Sequence, residues 1–205
     1  LRRRQDLSRQ NIPDPRGAEQ TAPQFLSFRR RQTLASRARI IYNRYMNILF
    51  VCSSNICRSP FCEYVFRDMV AKDPELQKRV SKVASAAVFN RMYKIHPKAR
   101  IALLREGFDG AYIDAHKPSF KWGDRHLFDE ADLIVGMSRA NKWVLPLRYH
   151  RKFVTISEYA EGAYEKVPDP FLMKEVDDYL AVMDFLKAKL VKFADKIKSL
   201  PADGE

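Results

Sequence analysis

From residue 46 onward, short apolar runs alternate with segments whose apolar residues recur at helical spacing. Continuous apolar runs of this kind are typical of buried parallel strands. They are NILFVC (47–52), KVASAAV (82–88), DLIVGM (132–137) and KFVTIS (152–157). The segments with helical spacing, or with helix-start residues such as Pro60 and Pro97, are 59–73, 96–109, 119–131, 138–147 and 173–199. We expect Ser138 to cap the helix over 138–147.

This alternation predicts an α/β fold with a short, doubly wound, four-stranded parallel sheet and helices on both faces. The last helix carries one apolar stripe, which predicts core packing. In doubly wound sheets, ligands bind outside the carboxyl ends of the strands. Cys52 ends the first predicted strand, so the sequence places it at that edge.

Charge divides the chain into two parts. Residues 1–45 contain eleven Arg, no Lys and three acidic residues, and so carry +8 of the formal +12. Their composition is typical of a basic, disordered extension. We expect Met46 to be the natural start, with 1–45 a non-native or wrongly assigned upstream segment; a targeting peptide and a basic tail for RNA or anionic lipid are the alternatives. The working domain is then 46–205.

The remaining composition indicates a soluble, cytoplasmic protein. The 205 residues are 46% hydrophobic and contain no apolar run long enough to span a bilayer. Cys52, Cys57 and Cys62 are an odd, clustered set, which favours a reducing compartment over a disulfide framework. Their spacing is not a common zinc pattern, so we predict neither a metal nor another cofactor.

The stretch MNILFVCSSNICRSP (46–60) predicts an anion site. Its loop between a buried strand and a helix exposes backbone N–H groups and the positive end of a helix dipole. Five residues separate Cys52 from Arg58, enough to wrap around a tetrahedral oxyanion. These donors favour Cys52 as the thiolate, positioned for in-line attack on a phosphate held by the Arg58 fork. Ser59 can donate a hydrogen bond to that thiolate.

A leaving alkoxide or phenoxide needs a proton. Asp169, between two prolines in KVPDPF (166–171), is the best candidate acid. Cys62 falls on the apolar face of its helix and is predicted to pack in the core. Cys57 is adjacent to Arg58, and a reversible Cys52–Cys57 disulfide that protects the nucleophile is a hypothesis.

These residues resemble the low-molecular-weight protein tyrosine phosphatases. VCSSNICRSP is similar to the active-site loop of that family, and DPF is similar to its general-acid loop. The resemblance runs in order over nearly all of 46–199 and includes SAA (85–87), HPKARIALLREGFD (96–109) and FDEADLIVGMSRAN (128–141).

The resemblance implies that Cys52 is the nucleophile, that Arg58 binds the phosphoryl oxygens, and that Asp169 first protonates the leaving group and then activates water. It implies phosphate-binding or supporting roles for the loop and its neighbours: Ser53, Ser54, Asn55, Ile56, Cys57, Ser59 and Ser85. It also implies no metal and a phosphotyrosine-containing protein as substrate, with neither nucleic acid nor membrane needed. Whether a cognate tyrosine kinase system accompanies the protein stays open.

The chain departs from the family pattern at several positions. Ser54 stands where Gly is common, and Ser138 where Asp is common. Phe89, Tyr93 and Phe171 are the candidates for an aromatic wall around the substrate. His116 is offset from a histidine that supports the loop in some relatives.

Three other functions compete with a tyrosine phosphatase. Thioredoxin-coupled arsenate reductases use a similar loop but need further cysteines, and none follows Cys62. Phosphoarginine phosphatases tend to have Thr before the second loop cysteine, where this chain has Ile56. A basic RNA-binding protein is a hypothesis that depends on residues 1–45 alone.

Overall fold

The computed structural model describes residues 45–201. The prediction for the extension 1–45 therefore lies outside the described residues, apart from Tyr45. Four parallel strands form one sheet in the order β2-β1-β3-β4. They are β1 (Met46–Cys52), β2 (Val80–Ala87), β3 (Leu133–Gly136) and β4 (Phe153–Thr155). The predicted four-stranded parallel sheet is confirmed.

Helices cover both faces of this sheet, which confirms the predicted fold class. They are α1 (Arg58–Lys72), α2 (Pro74–Gln77), α3 (Pro97–Arg105), α4 (Gly110–Asp114), α5 (Arg125–Glu130), α6 (Ala140–Trp143), α7 (Ile156–Glu161) and α8 (Val176–Lys198). Two 3₁₀ helices lie at Leu147–Tyr149 and Pro170–Leu172. No helix among the described residues is long and apolar enough to cross a membrane.

The continuous apolar run of β1 follows from its central position, because each of its faces meets a different core. Ile48 and Phe50 belong to the larger core, whereas Leu49 and Val51 belong to the smaller one. The larger core contains the buried stripe of α8, including Phe193, whose ring centroid is 5.8 Å from that of Phe50. A strand buried on both faces fixes the position of the loop that follows it.

The predicted strand 152–157 is too long, since the chain turns into α7 after Thr155. Thr155 and Glu158 form a reciprocal capping box, in which each side chain accepts a hydrogen bond from the backbone N–H of the other residue. The α7 helix ends at Gly162, whose φ of +77° favours glycine. Local capping therefore overrides the apolar pattern here.

The prediction that Ser138 caps a helix over 138–147 is also wrong. The side chain of Asn141 instead accepts hydrogen bonds from the backbone N–H groups of Met137 and Ser138, both at 3.0 Å. The chain turns here before α6 begins, and α6 spans only four residues.

Candidate active site

The loop between β1 and α1 carries one residue in the left-handed region, and that residue is Asn55 with φ of +55°. Asn tolerates this region better than most residues do. Ser54, at the position where the family often has Gly, does not need a positive φ. The substitution of Ser for Gly is therefore compatible with this loop conformation.

The side chain of Asn55 is fully buried, and both its Nδ2 group and its Oδ1 atom form hydrogen bonds. Its Nδ2 group donates to Ser59 Oγ at 3.0 Å and to Ser85 Oγ at 2.7 Å. Its Oδ1 atom accepts from the backbone N–H of Ser119 at 2.9 Å. His116 Nε2 donates to the backbone carbonyl of Asn55 at 3.3 Å. Asn55 thus joins the loop to α1, to β2 and to the segment after α4.

Ser59 lies beside the predicted nucleophile, with its Oγ atom 3.0 Å from Cys52 Sγ. Because Ser59 Oγ accepts from Asn55, its own hydrogen is free to point at Cys52. Both residues are buried, and Ser59 lies in the first turn of α1, where the helix dipole favours negative charge. The arrangement lets the Ser59 hydroxyl donate a hydrogen bond to the Cys52 sulfur.

Arg58 and Asp169 come together from positions far apart in the sequence. Arg58 Nη2 lies 2.7 Å from Asp169 Oδ2, and Arg58 Nη1 donates to the carbonyl of Val167 at 3.5 Å. The Arg58 side chain is 7% exposed, and its Nε–H has no partner among the described residues. A buried donor without an acceptor lowers the stability of the folded state by roughly 1–3 kcal/mol. That donor is one more group available to an oxyanion.

Two contacts fix the loop that carries Asp169. The backbone N–H of Val167, which is fully buried, donates to the carbonyl of Met137 just beyond β3. Asp169 caps the following 3₁₀ helix, because its Oδ1 atom accepts from the N–H of Phe171 at 3.3 Å. The second carboxylate oxygen is left for Arg58, and the side chain is 52% exposed.

The other cysteines differ from Cys52 in their surroundings. Burial raises the pKa of Cys57 to about 12 and raises that of Cys62 well above its ordinary value. The Tyr179 hydroxyl lies near the Cys57 thiol but outside standard hydrogen-bond geometry, and it has no hydrogen-bond partner within residues 45–201. Burial also raises the Tyr179 pKa. All three cysteines are free, and Cys57 and Cys62 are held as thiols.

The predicted aromatic wall residues are all exposed, but their contacts differ. The backbone N–H of Phe89 donates to the carbonyl of Ser53 at 3.0 Å, which places Phe89 against the loop. Phe171 lies two residues after Asp169, with 49% of the residue exposed. Tyr93 is 75% exposed and lies under Arg91, with 5.6 Å between Cζ and the ring centroid. Phe89 and Phe171 are therefore the better placed of the three.

Several further residues, outside the predicted set, hold the site together. Glu63 accepts a hydrogen bond from Ser85 and pairs with Arg67. His116 contacts the loop directly, although it was considered offset; burial lowers its pKa and favours the neutral ring. Glu63 lies one helical turn after Ser59, on the same side of α1, and this spacing was the available signal.

His96 is a further supporting residue that the sequence did not reveal. Its backbone N–H donates to the carbonyl of Ile56 at 3.0 Å. Its ring stacks on Tyr179 at 5.7 Å and meets the Phe171 ring edge-on at 5.7 Å. Burial, and then the charge of Lys98, lower the His96 pKa. The neutral ring thus connects the phosphate loop with the Asp169 loop.

The chemistry available here is nucleophilic attack with acid assistance. A buried thiol faces a hydroxyl donor, a guanidinium fork and a carboxyl group at the carboxyl edge of the sheet. Residues 45–201 contain no cluster of three or more His, Cys, Asp or Glu side chains placed to hold a metal ion. The described side chains can bind a tetrahedral oxyanion and transfer a proton.

Comparison with known proteins identifies the family to which these residues belong. The family model of low molecular weight phosphotyrosine protein phosphatases matches residues 47–203. A protein-arginine-phosphatase of Bacillus subtilis is 30% identical over 75% of this chain and 97% of its own. The protein-tyrosine-phosphatase PtpB of Staphylococcus epidermidis is 28% identical over 75% of this chain and 97% of its own.

Solved structures are also similar. One is the YwlE arginine phosphatase in a mutant form with a phosphorylated active-site serine; its TM-score is 0.65 at 30% identity, over 75% of this chain and 97% of that one. Another is a low molecular weight protein tyrosine phosphatase from Bacillus subtilis, with a TM-score of 0.61 at 29% identity over the same shares. The chain belongs to the low molecular weight phosphotyrosine protein phosphatase family, whose members are hydrolases.

Proposed function

We propose that this protein hydrolyses phosphotyrosine in proteins through a phosphocysteine formed on Cys52. The observation that carries the proposal is the convergence of Cys52, Ser59, Arg58 and Asp169 at one strand end, with Sγ–Oγ at 3.0 Å and Nη2–Oδ2 at 2.7 Å. Phe89 and Phe171 add exposed aromatic surface for a phenyl ring.

In the first step the phosphoryl group binds to the loop amides and to Arg58. The incoming oxygens compete with the Asp169 carboxylate for the guanidinium, and Asp169 must carry a proton when the leaving group departs. The Cys52 thiolate attacks phosphorus, the bond from phosphorus to the tyrosine oxygen breaks, and Asp169 gives its proton to that oxygen.

In the second step the phosphocysteine is hydrolysed. Asp169, now a carboxylate, takes a proton from a water molecule that attacks phosphorus. The sulfur–phosphorus bond breaks, and the hydrogen bond from Ser59 stabilises the departing thiolate. The phosphorylated active-site serine in the mutant YwlE structure supports a covalent intermediate at this place in the family. A free thiolate nucleophile needs a reducing compartment, for which we propose the cytoplasm.

Hydrolysis of an aryl phosphate by the full chain tests the mechanism. We expect Cys52→Ser to have no turnover. Asp169→Ala should still bind substrate but turn it over on the order of 10²-fold more slowly, since general acid catalysis contributes about 10²–10⁴-fold. Cys62→Ala and Asp178→Ala are the matched controls, because Cys62 packs in the core and Asp178 is exposed at the start of α8. Wild-type turnover in Cys52→Ser would refute the mechanism.

Phosphoarginine is the second candidate substrate, because a relative matched over 97% of its length is a protein-arginine-phosphatase. We favour phosphotyrosine because the loop has the apolar Ile56, which is 3% exposed, where arginine phosphatases tend to have Thr. Phosphotyrosyl and phosphoarginyl forms of one peptide should differ in kcat/KM by roughly tenfold or more, in favour of tyrosine.

The variant Ile56→Thr should bring the kcat/KM values for the phosphotyrosyl and phosphoarginyl peptides closer together. A wild-type protein that prefers phosphoarginine would overturn the assignment of substrate but leave the phosphocysteine mechanism intact. Arsenate-dependent oxidation of thiols, measured with the same protein, is the corresponding test for an arsenate reductase.

A further inference from the structure

Pairs of a cation and an aromatic ring surround the catalytic edge of the sheet. Lys121 Nζ lies 5.2 Å from the centroid of the Trp122 ring, and Arg91 Cζ lies 5.6 Å from that of Tyr93. The chain has two tryptophans, Trp122 and Trp143, and they are 64% and 76% exposed. Large apolar rings left in water next to basic groups are typical of recognition surfaces.

The segment that carries Trp122 lies along the end of β2. The N–H of Ala87 donates to the carbonyl of Ser119 at 2.8 Å, and the N–H of Lys121 donates to the carbonyl of Ala87 at 3.1 Å. Ala87 is in turn the register partner of Cys52. Two strand spacings therefore separate this segment from the nucleophile, which is about 10 Å.

The segment that carries Trp143 reaches the same place from β3. α6 begins four residues after β3 ends. Lys121 Nζ donates to the carbonyl of Val144 at 2.5 Å and so joins the two tryptophan segments. Lys142 lies beside Trp143 on the same short helix. We name the surface formed by Arg91, Lys121, Trp122, Lys142 and Trp143 the basic–aromatic rim.

Acidic groups near this rim are already engaged. Asp124 accepts a hydrogen bond from the N–H of Phe120 at 2.8 Å. Glu158 pairs with Arg139 at 2.6 Å and is also held by the capping box of α7. Arg91, Lys121 and Lys142 bring three positive charges to the rim, against the one negative charge that Asp124 keeps. A ligand with complementary charge is therefore acidic.

We propose that the basic–aromatic rim binds an acidic segment of the phosphoprotein substrate, next to its phosphorylated residue. The proposal rests on the proposed function. An extended chain advances about 3.3 Å per residue, so acidic residues roughly three to five positions from the phosphotyrosine reach the rim. The rim then selects substrates by sequence, whereas the loop at Cys52 selects the phosphoryl group.

Three substrates separate rim binding from catalysis: p-nitrophenyl phosphate, a phosphotyrosyl peptide flanked by aspartates, and the same peptide flanked by asparagines. We expect the acidic peptide to have a kcat/KM about fivefold above the neutral one at low salt, with the difference shrinking as salt is added. Arg91→Glu should lower this preference roughly two- to fivefold, the range of an exposed ion pair.

The double variant Trp122→Ala/Trp143→Ala should also lower turnover of the acidic peptide, and no rim variant should alter hydrolysis of p-nitrophenyl phosphate. Lys78→Glu is the matched control, because Lys78 is exposed at the opposite, amino edge of the sheet. Unchanged preference in the rim variants, or no preference in the wild type, would overturn the proposal.

Binding can be measured without turnover, since both tryptophans of the chain lie in the rim. Titrating the Cys52→Ser protein with the acidic peptide should change its intrinsic tryptophan fluorescence, and the neutral peptide should change it several-fold less. This titration tests peptide binding at the rim even if the wild-type protein hydrolyses no phosphotyrosine. The rim proposal and the proposed function can therefore fail separately. The protein could instead sediment with vesicles of anionic phospholipid, lose this binding in the rim variants and show no preference between the two peptides. That result would overturn the proposal and show that the rim binds membranes.

Discussion

Asn55 is the residue on which the shape of the phosphate loop depends, and its replacement is the sharpest test of the site. It is fully buried at φ of +55°, and its side chain makes three hydrogen bonds of 2.7–3.0 Å. At about 1 kcal/mol of net stability for each bond, their loss lowers the free energy of unfolding by about 3 kcal/mol. Alanine adds about 1 kcal/mol because it lacks the short polar side chain with which Asn tolerates the left-handed region.

Asn55→Gly separates these two contributions. Glycine loses the same hydrogen bonds but adopts the positive φ freely, so it should be more stable than Asn55→Ala by about 1 kcal/mol. The usual order is the reverse, since glycine lowers stability in most ordered positions. Both variants should lose phosphatase activity, because Ser59 loses the donor that orients its hydrogen toward Cys52.

Urea denaturation followed by circular dichroism measures the unfolding free energies, and aryl phosphate hydrolysis measures the activity. Asn90→Ala is the matched control, because Asn90 is exposed near the same loop and its side chain makes one long contact of 3.4 Å with Ser54 Oγ. Two results would contradict this role of Asn55. One is that Asn55→Ala lowers the free energy of unfolding no more than Asn90→Ala does, and the other is that Asn55→Gly is less stable than Asn55→Ala.

Three further predictions follow from other contacts. Ser59→Ala removes the hydroxyl 3.0 Å from Cys52, so hydrolysis of the intermediate should become rate-limiting; a burst of phenol would show this, and an unchanged kcat would contradict it. The Lys189 side chain is 9% exposed and pairs with two carboxylates, so Lys189→Met should lower the free energy of unfolding by about 2 kcal/mol. The Lys192 side chain is 59% exposed, so Lys192→Met should lower it by less than about 1 kcal/mol in the same denaturation assay. The His96 pKa is lowered in the folded state, so the contribution of His96 to stability is complete above about pH 6.5 and falls as the pH decreases below that value. His96→Phe should therefore flatten that part of the curve of unfolding free energy against pH. The same curve in the variant and the wild type would argue against this role of His96.

The first strand, the loop after it and the position of Cys52 at the strand end could be predicted from the sequence, because their signals are local. A continuous apolar strand, a cysteine at its end and an arginine six residues later are all within one short segment. The parallel sheet then fixes which edge carries the site. The prediction for β4 failed for a local reason too, since the capping box at Thr155 acts against the apolar pattern.

The supporting residues could not be predicted because they come from segments without a pattern of their own. His116 and Ser119 lie beyond α4 in an irregular stretch, yet both bind Asn55. His96 looked like an ordinary residue before Pro97, but its position between the loop after β1 and the loop of Asp169 depends on the packing of Tyr179. Long-range packing of this kind leaves no periodic signal in the sequence.

Unpaired hydrogen-bond donors mark the site independently of any motif. Among the described buried side chains, the atoms without a hydrogen-bond partner are Arg58 Nε and the Tyr179 hydroxyl. Folded proteins leave few such groups unpaired, and each one calls for an explanation. Arg58 lies in the phosphate loop, and Tyr179 lies against Cys57 of the same loop. Around them Asn55 has its donors and its acceptor occupied, so Arg58 Nε is a donor of this loop that a bound anion could still use.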